Sequence, residues 1–349
     1  MSPRTPIKVA AVQAKLTLAA VEENLVRIED LIRDAHREHD PAVIVVPEAM
    51  TSPNVFNKKM RGACRPVDGA PFQLLTRLAR ELDVVIAGGF LARRGNDAYG
   101  TYVLAEPDGG AHLHDKDIPS AWENHYYRGG DDDGRVHCRA LNLDVGLASG
   151  WEWGRHRTAK RLRGVDLVLG GMCWPSFPNN WNVPPLNWWA KREHDIWVRQ
   201  NRELPGQVAR LVGAPTVYAA HVGPVEAQFP AAPVVPWRTV MLGDTQICAA
   251  DGTVLARLSF DDGEGHISAE VTPGSVTPLD PLADRFWIPA MTVSTHVAAW
   301  HVMNNHGRLD YWQKKLRRKH EWQSLPAGDL PDELPPVADE QAQHFATTP

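Results

Sequence analysis

Apolar runs and amphipathic segments alternate along the N-terminal part of the chain. The run at residues 42–46 is wholly apolar, as expected for a strand buried on both faces, and it stops at Pro47-Glu48. Residues 20–36 carry apolar side chains at helical spacing, with Glu22 and Glu23 in the first turn. The same criteria predict strands over residues 7–12, 42–46 and 84–89 and helices over residues 20–36 and 72–82. This alternation predicts a layered α/β fold.

Further along the chain, the pattern favours strands joined by short turns. Strands are predicted over residues 101–106, 110–115, 136–148, 165–169, 216–221 and 241–258, the last with a hairpin turn at residues 250–253. Helices are predicted over residues 158–162, 188–212 with an interruption near Pro205-Gly206, and 285–322. We therefore predict one domain over residues 1–275, an extension over 276–324 that contacts another subunit, and a mobile Pro- and acid-rich tail over 325–349.

Composition argues against several classes of partner. The 349 residues are 43% hydrophobic and 23% charged with a formal net charge of −5, so no nucleic acid and no membrane is expected as a partner. The basic stretch at residues 314–319 is interpreted as a solvated helical face. No segment has the apolar length of a membrane span, and the N-terminus lacks a signal-peptide pattern. The expected location is the cytoplasm.

Cysteine usage gives no sign of a metal centre. The chain has four cysteines, which are far apart and form no paired spacing: Cys64, Cys138, Cys173 and Cys248. This distribution argues against a zinc site or a disulfide framework and favours buried free thiols. We expect no metal and no cofactor.

Three charged residues are candidates for chemistry. Glu48 follows a buried strand, where α/β sheets place their sites, and a partly desolvated glutamate there can act as a general base. Lys116 ends a predicted strand, and its ammonium can stabilise a developing oxyanion. Glu123 follows among aromatic residues that can bury it. Taken singly, each has a plainer interpretation as a strand-end acid or a surface lysine.

A turn after the strand at residues 141–148 has the form that often presents a nucleophile. The sequence there is Gly146-Leu147-Ala148-Ser149-Gly150-Trp151-Glu152, and a helix-like segment follows. A strand that ends in a tight turn before a helix exposes the turn residue. The residue at this position, Gly150, has no side chain.

In sequence order, these motifs resemble those of the nitrilase (carbon–nitrogen hydrolase) superfamily. The resemblance covers roughly residues 7–272 and rests on residues 7–13, Pro47-Glu48, residues 116–119, residues 146–152 and residues 243–246 with the hairpin that follows. It implies a four-layer αββα sandwich that usually dimerises, and a Glu–Lys–Cys triad that attacks nitriles, amides or N-carbamoyl groups. Glu48 matches the base, Lys116 the oxyanion lysine and Glu123 a second glutamate, while the cysteine position falls on Gly150.

Gly150 cannot form an acyl-enzyme, which leaves three possibilities. The chain is catalytically silent, or Glu48 activates water or an amine in the space left by the thiol, or a neighbour substitutes for the cysteine. Ser149 should point away from the Gly150 side, because adjacent extended residues face opposite ways. Cys173 ends the predicted strand near the pocket, and a thiol near Lys116 would have a lowered pKa. Its plainer interpretation is a small cysteine that lines an apolar region.

Tryptophans are concentrated after the turn and suggest an apolar or aromatic ligand. We expect Trp151 and Trp174 to contact the substrate and Arg155 to bind a ligand carboxylate. The function predicted is action on a carbon–nitrogen bond of a small molecule through a Glu48–Lys116–Glu123 pocket that lacks the usual cysteine. The alternatives are a silent homologue that serves as a binding or partner subunit, and a Cys-to-Gly variant of an ordinary hydrolase. In each case we expect a homodimer or higher homo-oligomer.

Overall fold

The structure is a computed structural model that describes residues 5–180, 183–229, 232–291 and 295–316. The helices are α1 (Val21–His39), α2 (Ala70–Leu82), α3 (His156–Leu162), α4 (Leu186–Val212) and α5 (Thr295–Leu316). The strands are β1 (Ile7–Ala14), β2 (Val43–Val45), β3 (Arg65–Pro66), β4 (Val85–Arg94), β5 (Asp97–Ala105), β6 (Ala111–Asp115), β7 (Arg135–Cys138), β8 (Leu143–Ser149), β9 (Leu167–Met172), β10 (Thr216–Phe229), β11 (Ala232–Leu242), β12 (Thr245–Cys248), β13 (Val254–Leu258) and β14 (Gly265–Val271). The predicted tail at residues 325–349 lies outside the described residues.

The strands form one large mixed sheet. Its main path runs β6-β5-β4-β2-β1-β10-β9-β8-β7, with β14 antiparallel to β1 and β12 antiparallel to β10. Strands β4, β2, β1, β10, β9 and β8 run parallel to one another along this path, so their carboxyl ends lie at one edge. In α/β sheets this edge is the usual place for a site.

The sheet folds back on itself to make the two central layers of a sandwich. Apolar side chains of β1, β2, β4 and β5 pack against those of β8, β9 and β10 in one buried cluster. On their opposite face, strands β1, β2, β4 and β5 pack against helices α1 and α2 in a second apolar cluster. Strands β8, β9 and β10 pack against helices α3 and α4 in a third. The predicted four-layer αββα architecture is therefore confirmed.

Two predicted elements have different boundaries in the structure. Helix α4 is continuous through Pro205, although proline removes one backbone hydrogen bond from a helix interior. Leu204 and Val208 are buried on either side of it, so packing against the sheet holds the helix together. The predicted strand at residues 136–148 is a hairpin of β7 and β8, because Asn142 adopts a left-handed conformation between them.

The largest element absent from the sequence-based prediction is the hairpin of β10 and β11. Strand β10 continues to Phe229, well past the predicted end, and pairs with β11 in antiparallel register from Val222↔Leu242 onward. Four prolines in this stretch of the sequence, at 224, 230, 233 and 236, weaken the strand pattern. Strand β14 was also not predicted.

The C-terminal extension is helical only in part. Residues 285–291 are not helical, and α5 begins at residue 295. Helix α5 packs against the 3₁₀ turn Ala121–His125 of the same chain, where Nδ1 of His125 lies 2.6 Å from Oδ2 of Asp310. None of the helices in the described residues is both long enough and apolar enough to cross a membrane.

Candidate active site

Four of the predicted site residues converge at the carboxyl edge of the sheet. Glu48 comes shortly after β2, Lys116 directly follows β6, and Gly150 directly follows β8. Glu123 is held in the 3₁₀ turn Ala121–His125, where its carboxylate also caps the backbone N–H of Ser120. The structure thus brings together residues from four separate segments of the chain.

Lys116 lies between two carboxylates in a buried cluster. Its Nζ is 2.9 Å from Oε1 of Glu123 and 3.2 Å from Oε2 of Glu48. The lysine side chain is fully buried, and both glutamate side chains are 5% exposed. Burial alone would lower the pKa of Lys116, but the charges of Glu123 and Glu48 outweigh it, so the pKa is raised and the ammonium stays charged. This ammonium occupies the position between the carboxylates that a metal cation would need.

The carboxylate of Glu48 has three hydrogen-bond donors. Oε2 accepts from Lys116 and from the hydroxyl of Ser149 at 3.0 Å, and Oε1 accepts from the backbone N–H of Cys173 at 2.9 Å. Burial raises the pKa of Glu48 above its usual value, the nearby Glu123 adds to this, and Lys116 opposes it. The backbone carbonyl of Glu48 accepts from Nε2 of His221 at 2.6 Å. Both ends of the residue are therefore fixed.

Gly150 is surrounded by the charged cluster. Its φ is +57°, in the left-handed region that side chains rarely adopt. A Cβ atom added here would lie 2.5 Å and 2.6 Å from the two carboxylate oxygens of Glu48, and closer still to Nζ of Lys116. In this structure the ends of the Glu48 and Lys116 side chains lie where the side chain of a nucleophile would begin.

Ser149 faces the cluster, contrary to the expectation from strand alternation. Its hydroxyl donates to Glu48, as described above. Side chains alternate between faces only within the strand, and Ser149 is the last residue of β8. The chain then turns into a 3₁₀ helix at Gly150, which has a positive φ. Residues 149 and 150 can therefore face the same side.

Cys173 lies beside the site, but its sulfur points elsewhere. The Sγ atom accepts from the backbone N–H of Asn54 at 2.9 Å and lies 3.8 Å from Sδ of Met241, in an apolar cluster with Val55 and Trp237. Burial raises the pKa of this thiol well above its usual value, and the charge of Glu48 adds to the effect. The expected lowering of the thiol pKa is therefore wrong, and the plainer interpretation of an apolar-lining cysteine fits.

The three residues expected to bind substrate are engaged in packing and ion pairs. Trp151 and Trp174 pack on each other with ring centroids 4.9 Å apart. Arg155 is fully buried, forms an ion pair with Asp117 and donates to the carbonyl of Ile118 at 2.8 Å. Its guanidinium thus has a protein carboxylate in place of the ligand carboxylate that we expected.

A second buried network, which the sequence analysis did not identify, holds the turn after β8. Glu152 accepts from the backbone N–H of Ser149 at 2.9 Å and pairs with Arg161 and with Nε2 of His114, both at 2.8 Å. Burial opposes the charged form of Glu152, but Arg161 and His114 outweigh burial and hold its pKa well below the usual value. The network fixes Ser149 and Gly150 relative to β6. Charged residues spread over three segments give no local signal that predicts it.

A small cavity lies beside the cluster. One cavity of about 10 Å³ is lined by Glu48, Asn54, Tyr127 and Ser149 together with apolar neighbours. Asn54 donates to Glu123 at 2.6 Å, and its Oδ1 is buried without a hydrogen-bond partner. A cavity of this size and polarity suits about one water molecule and no larger ligand.

Comparison with known proteins shows which family and which solved structures the chain is similar to. A family model described as carbon-nitrogen hydrolase matches residues 8–280. No curated protein sequence matches the chain. Among solved structures, a carbon-nitrogen hydrolase from Helicobacter pylori G27 superposes with a TM-score of 0.61 at 18% identity, over 76% of this chain and 89% of that one.

Two further structures have the same fold. Nit3 from Saccharomyces cerevisiae, a member of branch 10 of the nitrilase superfamily, gives a TM-score of 0.55 at 18% identity over 78% of this chain and 92% of that one. A variant amidase from Nesterenkonia sp. AN1, in which acrylamide has added to the active-site cysteine, gives 0.57 at 17% identity over 80% and 96%. At these identities the likeness concerns the fold.

Proposed function

The chain belongs to the carbon–nitrogen hydrolase family, and we propose that it is a member without covalent acyl-transfer chemistry that serves as a binding or partner subunit. The arrangement around Gly150 carries this proposal, because Lys116 and Glu48 lie where the side chain of a nucleophile would begin. Glycine offers no nucleophile of its own. A substrate carbonyl would need room between the base and the ammonium, and these groups are in direct contact.

The presence of Glu48, Lys116 and Glu123 does not by itself indicate catalysis. Removing one partner of a buried ion pair leaves an uncompensated charge and costs about 3–5 kcal/mol. Glu123 also caps Ser120, and Glu48 also accepts from Cys173. Each charged group therefore has a structural reason to stay after the nucleophile is lost.

A second candidate function is hydrolysis without a thiol. It is favoured by the cavity beside Glu48, which has room for about one water molecule, and by the unpartnered Oδ1 of Asn54, a residue that lines this cavity. A raised pKa makes Glu48 a better proton acceptor once it is ionised. In this mechanism Glu48 would take a proton from water as the water oxygen bonds to the substrate carbon. Lys116 would stabilise the negative charge that develops on the oxygen of an amide or N-carbamoyl group, or on the nitrogen of a nitrile. Glu48 would then give the proton to the amine that leaves when the carbon–nitrogen bond breaks, or to the nitrogen of the hydrated nitrile.

Turnover measurements distinguish the two functions. The native chain, Glu48→Gln and Gly150→Cys are compared on a panel of amides, nitriles and N-carbamoyl compounds. We expect the native chain to match Glu48→Gln, with no turnover above buffer. Activity that appears only in Gly150→Cys would support the alternative of an ordinary hydrolase disabled by its glycine, and inactivity of all three chains would support the binding or partner role. Turnover by the native chain that Glu48→Gln abolishes would overturn the proposal and support the second candidate.

We also propose that helix α5 joins two copies of the chain. One side of α5 packs on its own chain, whereas Val302, Leu309 and Leu316 lie seven residues apart and are 72%, 52% and 63% exposed. Asn305 and Trp312 lie between them, also seven apart and exposed. This is the a/d spacing of a coiled-coil seam, which is self-complementary between identical helices.

The mass of the protein in solution tests this interface. Sedimentation of the native chain should give a dimer or a higher oligomer, and Leu309→Glu with Leu316→Glu should dissociate it. Leu255→Glu, at a residue of β13 that is 43% exposed, serves as the matched control and should leave the oligomer intact. A monomeric native chain, or an oligomer that the double substitution does not change, would show that α5 is not the interface.

The cytoplasm remains our proposed location. The four cysteines are free and buried. Free thiols are typical of reducing compartments. Cell fractionation of the tagged protein tests this, and recovery in a secreted fraction would contradict it.

A further inference from the structure

A group of three metal-ligating side chains lies far from the site described above. Glu38 and His39 end helix α1, and His266 lies on β14, which pairs with β1. One ligand atom from each of the three residues lies within 4.8 Å of the others. Within the described residues, these three are the one group of metal-ligating side chains found with donor atoms this close together. We propose that Glu38, His39 and His266 bind a divalent transition-metal ion such as Zn²⁺, independently of the function proposed above.

The two imidazoles already face each other. Nε2 of His39 lies 2.9 Å from Nδ1 of His266, and the rings are nearly perpendicular, with an interplanar angle of 82°. Two nitrogens bound to one tetrahedral Zn²⁺ at about 2.0–2.1 Å are separated by roughly 3.3 Å. One ion can therefore bind both nitrogens if they separate by a few tenths of an ångström, the rings turn so that both lone pairs point to the ion, and the proton of the present hydrogen bond is released to solvent.

Glu38 is placed to supply the third ligand. Its Oε2 lies 3.7 Å from Nε2 of His266, the ring nitrogen other than the one that faces His39, and its side chain is 66% exposed, so the carboxylate can move round to an ion at Nδ1 with little cost in packing. The histidine side chain of His266 is only 13% exposed and is fixed by the sheet. Two imidazoles and one carboxylate form a donor set that suits zinc, with a fourth position for water.

The electrostatic setting favours a cation overall. The last carbonyl groups of α1 have no partner within the helix and place partial negative charge at this end. The carboxylate of Glu38 adds a full negative charge. The positive charge of Lys8, which lies on β1 near His39, would repel a bound cation. An ion at this position would connect the end of α1 to β14.

Calorimetric titration of the full chain with zinc chloride tests the proposal. We expect one zinc ion to bind per chain. Its affinity should fall at least about tenfold in His39→Gln and in His266→Gln. The affinity should fall less in Glu38→Gln, because a water molecule can take the place of the Glu38 carboxylate. His137→Gln is the matched control, because His137 is a surface histidine paired with Asp144 at 2.9 Å outside this group. Zinc should also raise the Tm of the native chain and of the control more than that of the two histidine variants.

Cobalt substitution provides a measurement that does not depend on heat signals. Co²⁺ bound to the native chain should give visible absorption bands of a tetrahedral site, and either histidine substitution should remove them. Absence of binding by the native chain would overturn the proposal. So would zinc affinity and cobalt spectra that are unchanged in both histidine variants, since the ion would then lie elsewhere.

Discussion

Alanine at Gly150 probes whether the nucleophile position is filled. The structure offers two glycines that separate the possible causes of destabilisation. Gly95, in the turn between β4 and β5, has a similar φ of +55°, and a Cβ there would meet nothing within 4 Å. Gly62 lacks the positive φ and also has open space around it. Gly150 combines positive φ with the crowding by Lys116 and Glu48.

The expected losses follow from these differences. A side chain in the left-handed region costs about 1–2 kcal/mol, so Gly95→Ala should lose about that much. Gly62→Ala should be within about 0.5 kcal/mol of the native chain, as for surface substitutions in general. At Gly150 the added methyl must push Lys116 away from Glu48, and overpacking of a close-packed interior costs typically 1–3 kcal/mol more. We expect Gly150→Ala to lose about 2–5 kcal/mol.

Urea unfolding of the native chain and the three variants measures these losses as differences in the free energy of unfolding. The comparison of Gly150→Ala with Gly95→Ala isolates the crowding, since the two positions share their backbone conformation. Equal losses in these two variants would refute the reasoning. They would mean that the position next to Lys116 and Glu48 is open.

Three further predictions concern the charged groups and the thiols. Lys116→Met should lose about 3–5 kcal/mol at neutral pH, because two buried carboxylates lose their cation; the loss should shrink as the pH falls and Glu48, whose pKa is raised by burial, takes up a proton, and urea unfolding at several pH values that shows a constant loss would contradict this. Burial lowers the pKa of His114, but Glu152 and Asp132 outweigh it and raise the pKa to about 9 from an ordinary value of 6.5. The stability that protonated His114 contributes is thus complete below pH 6.5 and is lost as the pH rises through 9, so unfolding measurements over this range should show a decline that His114→Gln flattens. All four cysteines are buried, so a thiol reagent should label the native protein only after unfolding; rapid labelling in the folded state, read by intact mass, would contradict the structure.

The sequence predicts the layers of the fold well because the buried strands and amphipathic helices have strong periodicity. Helix α1 and strand β2 lie within a few residues of their predicted bounds. The hairpin of β10 and β11 could not be predicted in the same way, because its prolines break the pattern and long-range pairing holds it. Packing likewise keeps α4 continuous through Pro205.

The site shows the same division between local and long-range information. The positions of Glu48 and Lys116 follow from strand ends, which are visible in the sequence. The contact between Ser149 and Glu48 depends on the backbone conformation of Gly150, which the sequence does not specify. The sulfur of Cys173 is directed by Asn54 and Met241, which are distant in the chain.

Acyl trapping tests the central claim, the absence of covalent chemistry, most directly. The native chain, Glu48→Gln and Gly150→Cys are incubated with an activated ester and examined by intact-mass spectrometry and peptide mapping. We predict no acyl adduct on the folded native chain at Ser149 or Cys173, the two neighbours of Gly150 that carry a nucleophilic atom. A stoichiometric adduct on either residue of the native chain, lost in Glu48→Gln, would contradict the account. Gly150→Cys reports whether the site accepts the ester once a thiol is present.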